Sequence, residues 1–127
     1  MSKAIRIYEY GGPEVLKWED FDPGKPEAGE ALVRHEAVGL NFIDVYHRTG
    51  LYPLPATPAT LGLEGAGIVE QIGQGVTEVV VGDRVAYAGL PPGAYAEVRK
   101  IPAHRLALLR LKAIDEHTIL CAFADAI

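Results

Sequence analysis

Glycine and proline cut this chain into short pieces. The 127 residues include 14 glycines and 9 prolines, spread through the chain. Proline fixes φ and removes a backbone donor, and glycine punctuates strands and turns. Short segments bounded this way argue for a β-rich domain. The apolar alternation predicts strands at 4–8, 15–21 (with Trp18), 30–39, 62–72, 79–81, 84–88 and 94–101. About eight short strands of this kind predict a small barrel or sandwich.

Two stretches between the strands read differently. Asn41 is a natural helix cap, Phe42, Val45 and Tyr46 recur at three-to-four spacing, and Gly50 is a stop, so one short helix is predicted at 41–48. Residues 52–60 carry Pro53, Pro55 and Pro58, which predict an ordered loop. The tail at 115–127 reads as helical, with Asp115 as cap and Ile119, Phe123, Ala126 and Ile127 on one face.

A chain of this length holds one core but not a full nucleotide-binding domain of about 150 residues besides. Its net charge is −5. A nucleic-acid partner would need a basic excess that is absent. No apolar run approaches the roughly 20 residues of a membrane span, and the N-terminus has no signal-peptide pattern. A soluble cytoplasmic protein is expected.

Most catalytic chemistries find few residues here. The sole serine, Ser2, lies where the chain end is expected to fray, and the sole cysteine, Cys121, lies in an apolar helical stretch. Neither suits a nucleophile. The four histidines, His35, His47, His104 and His117, show no ligand spacing, so surface or partly packed roles are expected and no metal site. Gly62, Gly65 and Gly67 do not follow the order of a phosphate loop, and the strand-like Val79-Val80-Val81 follows Gly73 and Gly75. Tight corners and close strand packing are expected at these glycines. Glu19 and Asp20 are neighbours in a strand and face opposite ways.

One constellation stands apart. Asn41, Asp44, Tyr46, Tyr52 and Glu64 are polar residues among apolar ones, within one helix–loop–strand passage. Asn41 and Asp44 lie about one turn apart. Tyr52 opens the proline loop, which could lean back over them. On the residues alone, a capped helix with surface tyrosines and a small-molecule pocket are both open readings.

The motifs carry a resemblance. Ile5-Arg6-Ile7 to Gly11-Gly12-Pro13-Glu14-Val15-Leu16, then Val38-Gly39-Leu40-Asn41-Phe42-Ile43-Asp44-Val45-Tyr46 with Arg48, Gly50, Tyr52 and Pro53, resemble an opening strand and first signature. Gly62-Leu63-Glu64-Gly65-Ala66-Gly67, Gly73-Gln74-Gly75-Val76 and Gly82-Asp83-Arg84-Val85-Ala86-Tyr87 resemble a second. Together they are similar to the medium-chain dehydrogenase/reductases, in the zinc-independent quinone oxidoreductase (zeta-crystallin-like) branch. The resemblance covers residues 3–109 and implies a mainly β, GroES-like, partly open barrel with one or two short helices.

It further implies hydride transfer from NADPH to a quinone or related conjugated carbonyl. Zinc-dependent relatives place a cysteine where Asn41 stands and a His-Glu pair where Leu63-Glu64 stands. Without these ligands no Lewis acid is expected, and a quinone accepts hydride with hydrogen bonds alone. By the same resemblance, Tyr46 and Tyr52 are the catalytic residues that orient the acceptor and hydrogen-bond its oxygens. Asn41 and Asp44 are assigned to the cofactor side, Asp44 as a network anchor, and Glu64 to the pocket floor. A homodimer is compatible with the family, and no nucleic-acid or membrane partner is expected.

The resemblance stops near Leu109, where the family's Rossmann domain would begin. Residues 1–109 are expected to form the GroES-like catalytic domain, residues 110–127 a divergent tail, and the Rossmann domain to be absent from this chain. Two other readings remain: a stand-alone GroES-like binding module without catalysis, and an enone reductase.

Overall fold

The computed structural model describes residues 1–109, so the predicted tail helix and Cys121 lie outside the described residues. Among the described residues, eight strands form two antiparallel sheets. The strands are β1 (Ser2–Ile7), β2 (Lys17–Phe21), β3 (Glu30–Val38), β4 (Ala59–Thr60), β5 (Glu64–Ile72), β6 (Arg84–Ala88), β7 (Val98–Pro102) and β8 (Ala107–Leu108). The smaller sheet has the order β2-β1-β4 and the larger β7-β3-β5-β6-β8. One helix, α1 (Phe42–Thr49), connects β3 to the proline loop. The fold is mainly β, as expected. The sheets do not close into a single barrel among the described residues.

The long central pair β3–β5 organises the larger sheet. Every second residue of β5 points inward, so Gly65, Gly67 and Val69 are buried. Two of these are glycine because β3 passes close by. A Cβ on Gly67 would overlap the Arg34 carbonyl, and one on Gly65 would meet the His35 ring and the Tyr87 hydroxyl at 2.9 Å. Close strand packing therefore explains these glycines, as the sequence suggests. The register shifts at Leu32/Val33 and at His35/Ala37, irregularities of the kind that bend and twist a strand locally. Ala31, Val33, Val69, Val79, Val85 and Ile101 form the main core. Ile7, Val15, Leu54 and Leu61 form a second core beneath the smaller sheet.

Several predicted boundaries move. Residues 13–15 are a 3-10 turn, so β2 begins at Lys17 rather than at residue 15. Val79-Val80-Val81 is not a strand. Val79 is buried alone, and the Val80 N–H turns to the Asp83 carboxylate at 2.8 Å. In the predicted 94–101 strand only the end pairs regularly. Residues 95–97 instead join the two sheets: the Ile5 N–H donates to the Tyr95 carbonyl at 2.8 Å and the Glu97 N–H to the Lys3 carbonyl at 2.9 Å. The short β8, at the outer side of β6, has no strong sequence signal. Ser2 is not frayed; its hydroxyl donates to the Phe21 carbonyl at 2.8 Å within β1–β2.

Candidate functional site

Helix α1 is where the polar constellation gathers. Asn41 is its N-cap and Gly50, at φ 81°, its left-handed C-cap, both as predicted. The residues it buries fully are polar. Phe42 is 82% exposed, while Asp44 (2% exposed) and His47 are buried. His47 is thus packed more fully than the surface or partly packed role expected for it; His104 is exposed and His35 half-buried.

Asp44 can be buried because its carboxylate is pinned. Oδ2 accepts the Asn41 backbone N–H at 3.0 Å and the Tyr95 hydroxyl at 2.6 Å. A buried carboxylate needs such donors. The second oxygen, Oδ1, has no partner. Burial, with the Asp44 hydrogen bond second, pushes the Tyr95 hydroxyl far above its ordinary value of 10.0, so Tyr95 stays protonated and keeps donating at neutral pH. Gly62, at φ 95°, lets the chain pass under Tyr95: a Cβ there would sit 2.5 Å from the ring. Tyr95 is the residue the sequence reading missed. It lies 51 positions from Asp44, and no local pattern links them.

Tyr46 and Tyr52 come together. Their rings meet edge to face with centroids 5.4 Å apart, and the Tyr52 N–H donates to the Tyr46 carbonyl at 3.2 Å. The proline loop folds back over the helix, as the sequence suggests. It is held there by Tyr10, whose hydroxyl accepts the Leu54 N–H at 2.9 Å. Tyr8, Tyr10, Tyr87 and Tyr95 each hold a protein partner through the hydroxyl. Among the described residues, Tyr46 and Tyr52 have no such partner, and Tyr52 is 51% exposed.

Beside this cluster lies an open, largely apolar cleft of about 470 Å³, lined by Ile5, Trp18, Val38, Leu40 and Tyr95 among others. It shares Tyr95 with the Asp44 anchor, but none of Asn41, Asp44, Tyr46 and Tyr52 lines it. Glu64 lies against Gly39, whose N–H donates to the Glu64 carbonyl at 3.1 Å, and a Cβ on Gly39 would collide with the Glu64 carboxylate. Among the described residues, no three His, Cys, Asp or Glu side chains gather as a metal site would require. None of the described helices is long and apolar enough to cross a membrane.

Asn41, exposed on the turn that Asp44 fixes, offers an amide suited to the carboxamide of a nicotinamide ring. An amide of this kind carries both a donor and an acceptor.

Comparison with known proteins is consistent with this geometry. The alcohol dehydrogenase GroES-like domain family matches residues 27–111. A quinone oxidoreductase of Pseudomonas aeruginosa is 52% identical over 109 residues, which is 86% of this chain and 34% of that protein. A 2-haloacrylate reductase of a Burkholderia species is 41% identical over 84% of this chain and 33% of its own length. The crystal structure of Escherichia coli quinone oxidoreductase complexed with NADPH superposes with a TM-score of 0.82 at 46% identity, over 85% of this chain and 33% of that one. The chain thus spans about a third of the length of the relatives it matches. Its fold, its ordered motifs and these relatives agree: the chain belongs to the alcohol dehydrogenase GroES-like domain family, alongside the quinone oxidoreductases.

Proposed function

We propose that residues 1–109 are the catalytic-domain portion of an NADPH-dependent quinone reductase that works without a metal. Residues 110–127, of which the family match reaches only the first two, are then a divergent tail. The observation that carries this reading is the Tyr46–Tyr52 pair, two adjacent phenols with hydroxyls uncommitted among the described residues. NADPH, when bound, supplies the hydride. Tyr46 and Tyr52 orient the acceptor and donate hydrogen bonds to its oxygens as negative charge develops there. Asn41 binds the nicotinamide amide. Asp44 is a positioning residue that acts through Asn41 and Tyr95. The exposed apolar residues Leu40, Phe42 and Leu51, which flank this cluster in sequence, suit a face that meets further polypeptide.

Joining residues 1–109 to the remaining two thirds of the Pseudomonas aeruginosa relative tests this. The chimera is expected to reduce quinones with NADPH. A folded chimera that binds NADPH but leaves every quinone untouched would sink the proposal. The 41% identical 2-haloacrylate reductase favours a second acceptor class, conjugated carbonyl compounds. Steady-state comparison of quinone and enone acceptors in the same chimera separates the two.

A further inference from the structure

A second cleft, of about 240 Å³, is lined by none of Asn41, Asp44, Tyr46 and Tyr52 and shares no lining residue with the apolar one. Arg6, Arg99 and Lys100 line it, with Thr60, Phe21 and Gly93. No carboxylate is among its lining residues, in a chain whose net charge is −5. We propose that this cleft is a binding site for a small phosphate-type oxyanion.

Arg99 carries the argument furthest. It is 5% exposed, and no carboxylate pairs with it among the described residues. Nε donates to the Lys100 carbonyl at 3.2 Å and Nη2 to the Pro91 carbonyl at 3.0 Å, while Nη1 has no partner. Carbonyl dipoles fix the orientation of the guanidinium but do not cancel its charge, and a buried charge without a counter-ion is costly. On one side it packs on the Tyr87 ring, 5.0 Å from the centroid. On the other it rests on Gly93, where a Cβ would come within 3.0 Å of the guanidinium carbon.

The two other cations are also loosely held. Arg6 reaches Glu19 at 3.7 Å, and its buried Nε has no partner. Lys100 reaches Glu30 at 3.9 Å. Both distances exceed the roughly 2.7–2.9 Å of a charge-assisted hydrogen bond. Three cations under-compensated in this way favour a multiply charged anion over a single carboxylate. The unpartnered Nη1 of Arg99 and Nε of Arg6, with the Lys100 ammonium, leave donors over for the oxygens of a phosphate.

The test titrates the full 127-residue chain with inorganic phosphate at fixed ionic strength and follows amide NMR shifts. Saturable shifts at Gly93, Arg99 and Lys100 are expected. Lys100→Gln and Arg6→Gln are each expected to weaken binding about tenfold while keeping a dispersed spectrum. Arg99→Gln is a poorer probe, because it also releases the carbonyls of the 91–92 loop. Binding of methyl phosphate at the same amides would mark the natural ligand as a phosphomonoester. Binding of inorganic phosphate alone would mark it as the free anion, and either outcome supports the site. Acetate binding as tightly as phosphate, shifts that never saturate, or unchanged affinity in both folded variants would each overturn the proposal.

Discussion

In the five-stranded sheet the inward positions are held by Ala31, Val33, Val69, Val85 and Ile101; in α1 they are held by Asp44 and His47, while Phe42 faces water. The sheet follows the ordinary rule, since each buried aliphatic side chain contributes roughly 1.5–3 kcal/mol by leaving water. The helix inverts it. With eight residues α1 is too short to persist alone, and it fully buries none of its apolar side chains. Its position depends instead on a few polar pins: the cap at Asn41, the Tyr95–Asp44 bond and the loop fastened by Tyr10. One region is stabilised by area and the other by specific directional bonds. The second is the arrangement expected where side chains must be held in place while the outward face stays open.

Substitutions can break this contrast. The largest effect is expected in the sheet. Gly67→Val would drive a side chain into the Arg34 carbonyl and cost about 3 kcal/mol or prevent folding, read as a fall in the urea midpoint. Asp44→Ala removes the shared acceptor of two donors and is expected to cost about 2 kcal/mol; Tyr95→Phe is expected to cost about 1 kcal/mol. If Asp44→Ala were as mild as Tyr95→Phe, the helix would not rest on its polar pins. Tyr52→Phe should leave stability within about 0.5 kcal/mol, because its hydroxyl holds nothing in the fold. In the chimera it should lower turnover about tenfold with a smaller change in NADPH affinity. Equal loss in both would move Tyr52 off the acceptor side.

The smallest effect sharpens the sheet side of the comparison. His35 Nδ1 lies 2.6 Å from the Ala96 carbonyl, which can only accept, so Nδ1 carries the proton and Nε2 accepts from the Tyr87 hydroxyl at 2.7 Å. Burial is the main cause that holds the ring below its ordinary value of 6.5, so the native state favours the neutral form. As pH falls, the unfolded chain takes up the proton first. Stability is therefore full above 6.5 and declines as pH drops below it. His35→Gln should flatten that slope. Glu14 and Asp20, held below their ordinary 4.5 and 3.8 chiefly by backbone hydrogen bonds and by Lys3 respectively, act only in a more acidic window.

Much of the fold was legible because its signals are local. Glycine, proline and period-two alternation placed six of the eight strands among the described residues at least approximately, missing the two-residue β4 and β8, and Asn41 and Gly50 bounded the helix. The failures share a cause. Val79-Val80-Val81 has strand composition, yet Asp83 offers the Val80 N–H a nearer acceptor than any ladder. The periodicity of Phe42, Val45 and Tyr46 marked the helix but not the burial of Asp44, which depends on the tertiary partner Tyr95. The Tyr46–Tyr52 meeting could be anticipated because only five residues separate them, the last turn of α1 and its cap among them, whereas Tyr95 could not.

By itself, then, the amino-acid sequence determined the class of fold, the capped helix and the set of polar residues around it, since each of these depends on neighbours within a few positions along the chain. Only the tertiary structure decided which side of α1 is buried, which tyrosine anchors and which stay free, and that Arg6 and Arg99 meet across a cleft. Those outcomes depend on groups that approach in space from distant strands, where hydrogen-bond direction and desolvation outweigh the local pattern.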